Sequence, residues 1–121
     1  TFEGRLPKTI PEVYARETLL LHDMPATRVL KLQTIRLGDL AIATIPNEVF
    51  SDTGLAIKRE SPFPQTFTIE LANGHYGYLP TPEQHALGGY ETWLGTSRVV
   101  ADSEPAIVAT LFEQFDELAA D

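Results

Sequence analysis

A strand pattern that leads into a glycine-rich aromatic loop, and then into a helix start, constrains this chain more than any other stretch. Apolar residues alternate with polar ones at Phe67, Ile69 and Leu71, which predicts a strand with one buried face. Residues 73–78 then read Asn-Gly-His-Tyr-Gly-Tyr, and residues 81–84 read Thr-Pro-Glu-Gln. The second motif predicts a helix N-terminus, because threonine can cap it, proline suits its first position and glutamine can complete a capping box.

The loop over residues 73–78 is the first candidate for a functional site. Polar and aromatic loops at the ends of buried strands often carry sites in α/β proteins. A second polar turn, Asn47-Glu48, follows another apolar run. We expect the rest of the chain to hold the loop against this turn.

Two further strands precede the loop. Residues 28–35 predict a strand with one buried face, and residues 40–45 form a nearly continuous apolar run that suits a central strand buried on both faces. Turn residues between the two runs, at 37–39, indicate a hairpin.

Residues 1–11 are expected to be extended, because Pro7 and Pro11 discourage regular structure. Four helices are predicted after that, over residues 11–21, 48–59, 82–87 and 104–118.

Local signals specify the second and last of these helices. Asn47 is expected to cap the second, and Gly54 in its interior is expected to serve close packing against another backbone, since glycine there costs up to about 1 kcal/mol. The last helix carries one apolar stripe, expected in the core: Ile107, Leu111, Phe115 and Leu118. The alternation predicts an α/β fold, a mixed sheet with helices packed on it, in a single globular unit over residues 1–121.

Composition excludes several classes of function. The 121 residues carry a formal net charge of −8 with only 9 Lys and Arg, which argues against nucleic-acid binding and against adsorption to anionic lipid. No apolar run approaches the length of a membrane span. The absence of cysteine excludes disulfides and thiolate metal ligands.

Two predicted strand ends carry polar groups that would converge if the strands are neighbours: Glu48 at one, and His75, Tyr76 and Tyr78 at the other. Each has an ordinary alternative, since a glutamate in a first helical turn can simply complement the helix dipole and a loop tyrosine usually packs its ring. The three histidines, at positions 22, 75 and 85, lack the spacing of a helical metal motif. From these signals alone the function stays open.

The segments 45–50 and 71–91 resemble the C-terminal part of the catalytic domain of the neutral/alkaline (non-lysosomal) ceramidase family. That family has a Pro-Gly-Glu-Phe-type turn, an Asn-containing loop ending in Tyr, a Thr-Thr-Pro-Glu-type segment and a Tyr-Glu pair. This chain has Pro-Asn-Glu-Val-Phe at 46–50, Tyr78, Leu-Pro-Thr-Pro-Glu at 79–83 and Tyr90-Glu91 in the same order. The similarity extends over roughly residues 28–118.

The resemblance implies a role for three residues. Glu48 and Tyr78 would be zinc ligands, and Tyr90 would contact the reacting carbonyl of an amide substrate. The family's zinc-binding histidines lie far upstream, so the resemblance implies that this chain is the C-terminal piece of a larger zinc-dependent amide hydrolase, inactive alone. The remainder of the parent chain would be its partner, with a lipid-like amide as substrate and a secreted or periplasmic location.

Two departures from the family leave the substrate open. Asn47 stands where the family usually has glycine, and the pair Gly88-Gly89 replaces more polar residues. The alternatives are an amidase or esterase that acts on another substrate, and a non-catalytic binding or structural module that retains the scaffold.

Overall fold

The computed structural model of the chain describes residues 6–120. In chain order its elements are α1 (Ile10–His22), β1 (Gln33–Leu37), β2 (Leu40–Thr44), β3 (Glu48–Val49), α2 (Ser51–Glu60), β4 (Gln65–Ile69), β5 (Tyr78–Leu79), α3 (Pro82–Leu87), a 3₁₀ helix (Tyr90–Thr92) and α4 (Ser103–Ala120). The predicted α/β class is confirmed. The extended segment expected over residues 1–11 falls partly on 1–5, which lie outside the described residues, and its end is wrong because Ile10 and Pro11 begin α1.

The main sheet has three strands in the order β1-β2-β4. β1 and β2 pair antiparallel across the turn at Gly38-Asp39, so the predicted hairpin is confirmed, although its first strand begins at Gln33 rather than at 28. β4 pairs parallel to β2 on the other side, with Thr44 opposite Ile69. The sheet is therefore mixed, and β2 is its central strand.

The core lies between one face of this sheet and the helices α2 and α4. Small side chains on β2, Ala41 and Ala43, are fully buried there. The predicted stripe of α4 is confirmed, with three fully or nearly buried members and a partly buried fourth: Ile107, Leu111, Phe115 and Leu118. Because alanine occupies little volume, the large residues of α4 and Ile57 of α2 can fill the space above the strand.

The opposite face of the sheet is only half covered, and two predictions fail there. Phe67 and Ile69 were expected to be buried, but they are 44% and 42% exposed, and Thr66 is the buried residue of β4. The helix-covered face takes Thr66 because its hydroxyl bonds Ser61 Oγ, just after α2, at 2.7 Å. The prediction that β2 is buried on both faces is right only in part, since on the far side Thr44 is buried but Ile42 is only partly covered.

The predicted start of α3 is confirmed and that of α2 is not. α3 begins with the predicted capping box of Thr81 and Gln84, and α1 has a second such box. Asn47 does not cap α2, whose N-cap is Phe50, because the chain first forms the short strand β3. The expectation for Gly54 is also wrong, since an added Cβ would meet nothing within 4 Å. None of the helices within residues 6–120 has the length and apolar character needed to cross a membrane.

Candidate functional site

A two-stranded parallel ladder brings the polar turn and the aromatic loop together. β3 and β5 pair with Glu48 opposite Tyr78. The Glu48 amide donates to Gly77 O at 3.0 Å, and the Tyr76 amide donates to Pro46 O at 3.0 Å. The expectation that the loop is held against the turn at residues 47–48 is confirmed, and Tyr78 lies in a strand rather than in the loop itself.

Asn47 takes part in this junction through its side chain. It is fully buried, and its Nδ2 donates to the carbonyl of Gly77 at 3.1 Å. Its Oδ1 is buried without a hydrogen-bond partner. The asparagine side chain therefore links the end of β2 to the start of β5. The sequence had indicated a different structural role for it, as the N-cap of α2.

Gly77 is the tightest point of the site. Its φ of +73° lies in the left-handed region, and a Cβ there would collide with the carbonyl oxygen of Thr96 and lie 3.3 Å from Ser97 Cα. That carbonyl accepts the amide hydrogen of Tyr78 at 3.0 Å, and Ser97 Oγ donates to Tyr78 O at 3.1 Å. Only glycine allows the 96–97 segment to approach this closely, and the approach fixes the backbone of Tyr78.

The third predicted site residue, Tyr90, reaches the same point from the 3₁₀ helix. Its hydroxyl lies 2.8 Å from that of Tyr78, and either can be the donor. The two rings meet edge to face, with centroids 5.6 Å apart. The structure thus brings Glu48, Tyr78 and Tyr90 together, from positions up to 42 residues apart in the sequence (90 minus 48).

The neighbours of Tyr78 favour its protonated form. The hydrogen bond with Tyr90, then that with the Glu48 carboxylate, raises the pKa of Tyr78 well above the ordinary value of a phenol, and the negative charge of Glu48 adds to the shift. Loss of the proton would place a phenolate beside a carboxylate. In the protein alone, the phenol and the carboxylate therefore form a neutral donor next to an anionic acceptor.

His75 joins this cluster, although sequence spacing gave it no assigned role. Its Nε2 lies 3.5 Å from Glu48 Oε1, and its side chain is 61% exposed. The signal available in the sequence was its place in the loop that leads into Tyr78. His22, by contrast, lies in the exposed last turn of α1, and His85 lies in α3 with Nε2 buried and unpartnered.

A mostly apolar groove lies beside the loop. It encloses about 470 Å³ between the end of α1 and residues 94–103, and His75 and Tyr76 line it together with Arg28 and Arg98. His75 therefore lines the groove and also lies near Glu48, with Nε2 3.5 Å from Oε1.

The donor groups of this cluster fit a metal ion only in part. Across residues 6–120, no three His, Asp or Glu side chains group in a way that could hold one. The cluster offers one carboxylate, one phenol and one imidazole, and carboxylate and imidazole are common zinc ligands.

Comparison of the chain with protein-family models, curated proteins and solved structures found no match.

Proposed function

We propose that this chain is the C-terminal part of the catalytic domain of a zinc-dependent amide hydrolase that resembles neutral ceramidases. In this proposal Glu48 and Tyr78 are zinc ligands, Tyr90 is the catalytic residue, and the remainder of the parent chain supplies zinc-binding histidines. The substrate is a lipid-like amide.

One observation carries the proposal. Short motifs assign the three residues by resemblance, and that assignment requires the carboxylate of Glu48 and the phenol of Tyr78 to meet at one point. The parallel ladder sets Glu48 opposite Tyr78, and the hydroxyl of Tyr90 lies 2.8 Å from that of Tyr78. An unrelated packing of the same elements would have no reason to bring these three side chains together.

The donor set fits zinc in part. Glu48 is one-third exposed, so its carboxylate can reach an ion without crossing the core. Tyr78 would supply a second oxygen at the same end of the ladder. Catalytic zinc sites use three protein ligands and a water, so these two require at least one further ligand. When bound, zinc would polarise the carbonyl and lower the pKa of its water.

Tyr90 is suited to the reacting carbonyl. Its side chain is 47% exposed, so its hydroxyl is accessible from solvent while it remains in contact with Tyr78. A phenol in this position can donate a hydrogen bond to the oxyanion that develops as an amide is attacked, which favours the transition state over the ground state. The edge-to-face contact of the two rings holds that hydroxyl in place.

The full-length parent protein tests both roles. Glu48→Ala should remove zinc and amidase activity, whereas Glu60→Ala, a surface carboxylate paired with Arg59, should change neither. Tyr90→Phe should lower turnover by about 10²–10³-fold with zinc retained, on the scale of removing one oxyanion donor. Tyr76→Phe, which removes a phenol hydroxyl from the neighbouring loop over residues 73–78, is its matched control.

Two results would contradict the proposal. Zinc stoichiometry in Glu48→Ala equal to that of the wild type would remove the carboxylate from the metal site. Loss of zinc in Tyr90→Phe would show that this phenol holds the metal rather than the substrate.

A further inference from the structure

The first helix, α1, packs against the backbone that supports the two phenols, and no motif of the sequence gives it a role there. We infer that Tyr14 of α1 is a positioning residue, which keeps the phenols of Tyr78 and Tyr90 in contact by fixing the turn over residues 93–97, called the support turn below. The inference concerns a contact between side chains of this chain. It therefore goes beyond the proposed function and depends on neither zinc nor a substrate.

The support turn binds the backbones of both tyrosines. The Thr96 carbonyl accepts the amide hydrogen of Tyr78 at 3.0 Å, and Ser97 Oγ donates to Tyr78 O at 3.1 Å. At its other end, the Trp93 amide donates to Tyr90 O at 3.1 Å. The turn also closes on itself, because the Trp93 carbonyl accepts the amide hydrogens of Thr96 and Ser97 at 3.0 and 2.9 Å. A displacement of the support turn would therefore move one phenol relative to the other.

Tyr14 contacts the support turn in two ways. Its hydroxyl lies 3.0 Å from Thr96 Oγ1, and either atom can be the donor. Its ring meets that of Trp93 edge to face, with centroids 4.9 Å apart. These are the two residues whose backbones bind Tyr78 and Tyr90 respectively. One side chain of α1 thus touches the supports of both phenols.

The position of α1 depends on such contacts. The structure describes all of α1, and none of its residues is fully buried, while Ile10 and Leu19 are exposed. The helix approaches the support turn closely at Gly95, where an added Cβ would lie 2.6 Å from Glu17 Cβ. Because α1 buries little apolar surface, the hydrogen bond and ring contact of Tyr14 are a large part of what holds it there.

Amide hydrogen exchange of the ¹⁵N-labelled chain, followed by NMR, tests the inference. Tyr14→Phe removes the hydrogen bond to Thr96 but keeps the ring, and Tyr14→Ala removes both. We expect the Tyr78 amide to exchange about fivefold faster in Tyr14→Phe, the factor that corresponds to one hydrogen bond, and faster still in Tyr14→Ala. Thr18→Ala is the matched control, because it removes a hydroxyl that bonds the Tyr14 carbonyl within α1, and it should leave the rate unchanged.

The contact between the two phenol rings is the second measurement. The rings of Tyr78 and Tyr90 have centroids 5.6 Å apart, so a nuclear Overhauser effect should connect them in the wild-type chain. We expect this signal to be weaker in Tyr14→Ala and unchanged in Thr18→Ala. A residue that only contributes to overall stability would leave the ring contact of the folded chain as it is.

Two results would overturn the inference. Equal acceleration of the Ile45 amide, which donates to Ile69 O beside the main sheet, would show that Tyr14 stabilises the whole chain rather than the support turn. A ring contact that persists unchanged in Tyr14→Ala would show that the phenols stay together without it. If Tyr14→Ala does not fold, the relative exchange of the Tyr78 and Ile45 amides in Tyr14→Phe decides alone. None of these results bears on the zinc and amidase tests of the proposed function, so the two can fail separately.

Discussion

Replacing Gly77 with alanine should damage the site more than the added methyl group alone would suggest. Alanine at a φ of +73° costs about 1–2 kcal/mol in backbone strain. The new Cβ would also collide with the Thr96 carbonyl, which must move away and release the amide of Tyr78. The amide of Arg98, which donates to Tyr76 O at 3.3 Å, belongs to the same contact. With about 1 kcal/mol for each hydrogen bond, the total loss is at least about 3 kcal/mol.

Urea denaturation of the chain measures this loss, and Gly38→Ala is the matched control. Gly38 has a similar φ of +64°, but an added Cβ would meet nothing within 4 Å, so it should lose only the strain of about 1–2 kcal/mol. The midpoint for Gly77→Ala should fall by about 1–3 M urea. Equal losses in the two variants would refute the reasoning, because they would show that the approach of Thr96 contributes nothing.

Two further predictions concern stability. Gly54→Ala should stabilise the chain by up to about 1 kcal/mol in the same urea assay, because a Cβ at this position of α2 would meet no neighbouring atom within 4 Å. A destabilised variant would contradict this expectation, because it would mean that the methyl group clashes with a neighbour. Raising the pH above the ordinary tyrosine pKa of 10.0 should destabilise the wild-type chain, because the pKa of Tyr78 is raised only in the folded state. The stability that this shift contributes is complete below pH 10.0 and is lost as the pH rises towards the folded pKa. Denaturation of Tyr90→Phe between pH 9 and 11 should show a weaker dependence, and an unchanged dependence would contradict the role given to the hydrogen bond between the two phenols.

Local chemistry in the sequence predicted the ends of elements well where one motif acts alone. The capping box of Thr81 and Gln84 needs only residues within one helical turn, and the helix starts where that box places it. The apolar stripe of α4 is equally local, because its period alone decides which side faces the core.

The predictions that failed depended on which side of the sheet the helices cover. Alternation at residues 67–71 distinguishes the two faces of β4 but does not show which one the helices cover, and it predicts burial of the more apolar face. The structure buries Thr66 instead, because Ser61 bonds its hydroxyl beneath the end of α2. The prediction that Asn47 caps α2 failed because an asparagine side-chain amide can serve either as a helix cap or, as here, as a buried bridge to Gly77.

The sequence indicated which residues form the candidate site, but not the detailed arrangement of their side chains. Motifs indicated Glu48, Tyr78 and Tyr90, and the convergence of strand ends gave a reason for the first two to meet. The same convergence placed His75 near Glu48, but no spacing motif gave it a role, because its neighbour is a carboxylate 27 positions away (75 minus 48) rather than another histidine at a fixed helical spacing.

The parallel direction of β3 and β5 means that the chain must leave this corner of the molecule, form α2 and β4, and return before Glu48 can face Tyr78. No isolated hairpin or helix of this chain can form that pair, because contacts between distant residues require the intervening loop to close first. A spectroscopic signal from the contact between the two phenols and the carboxylate would therefore report completion of the crossover connection. A single proteolytic cut between residues 61 and 64 would leave the two halves of the cluster on separate peptides.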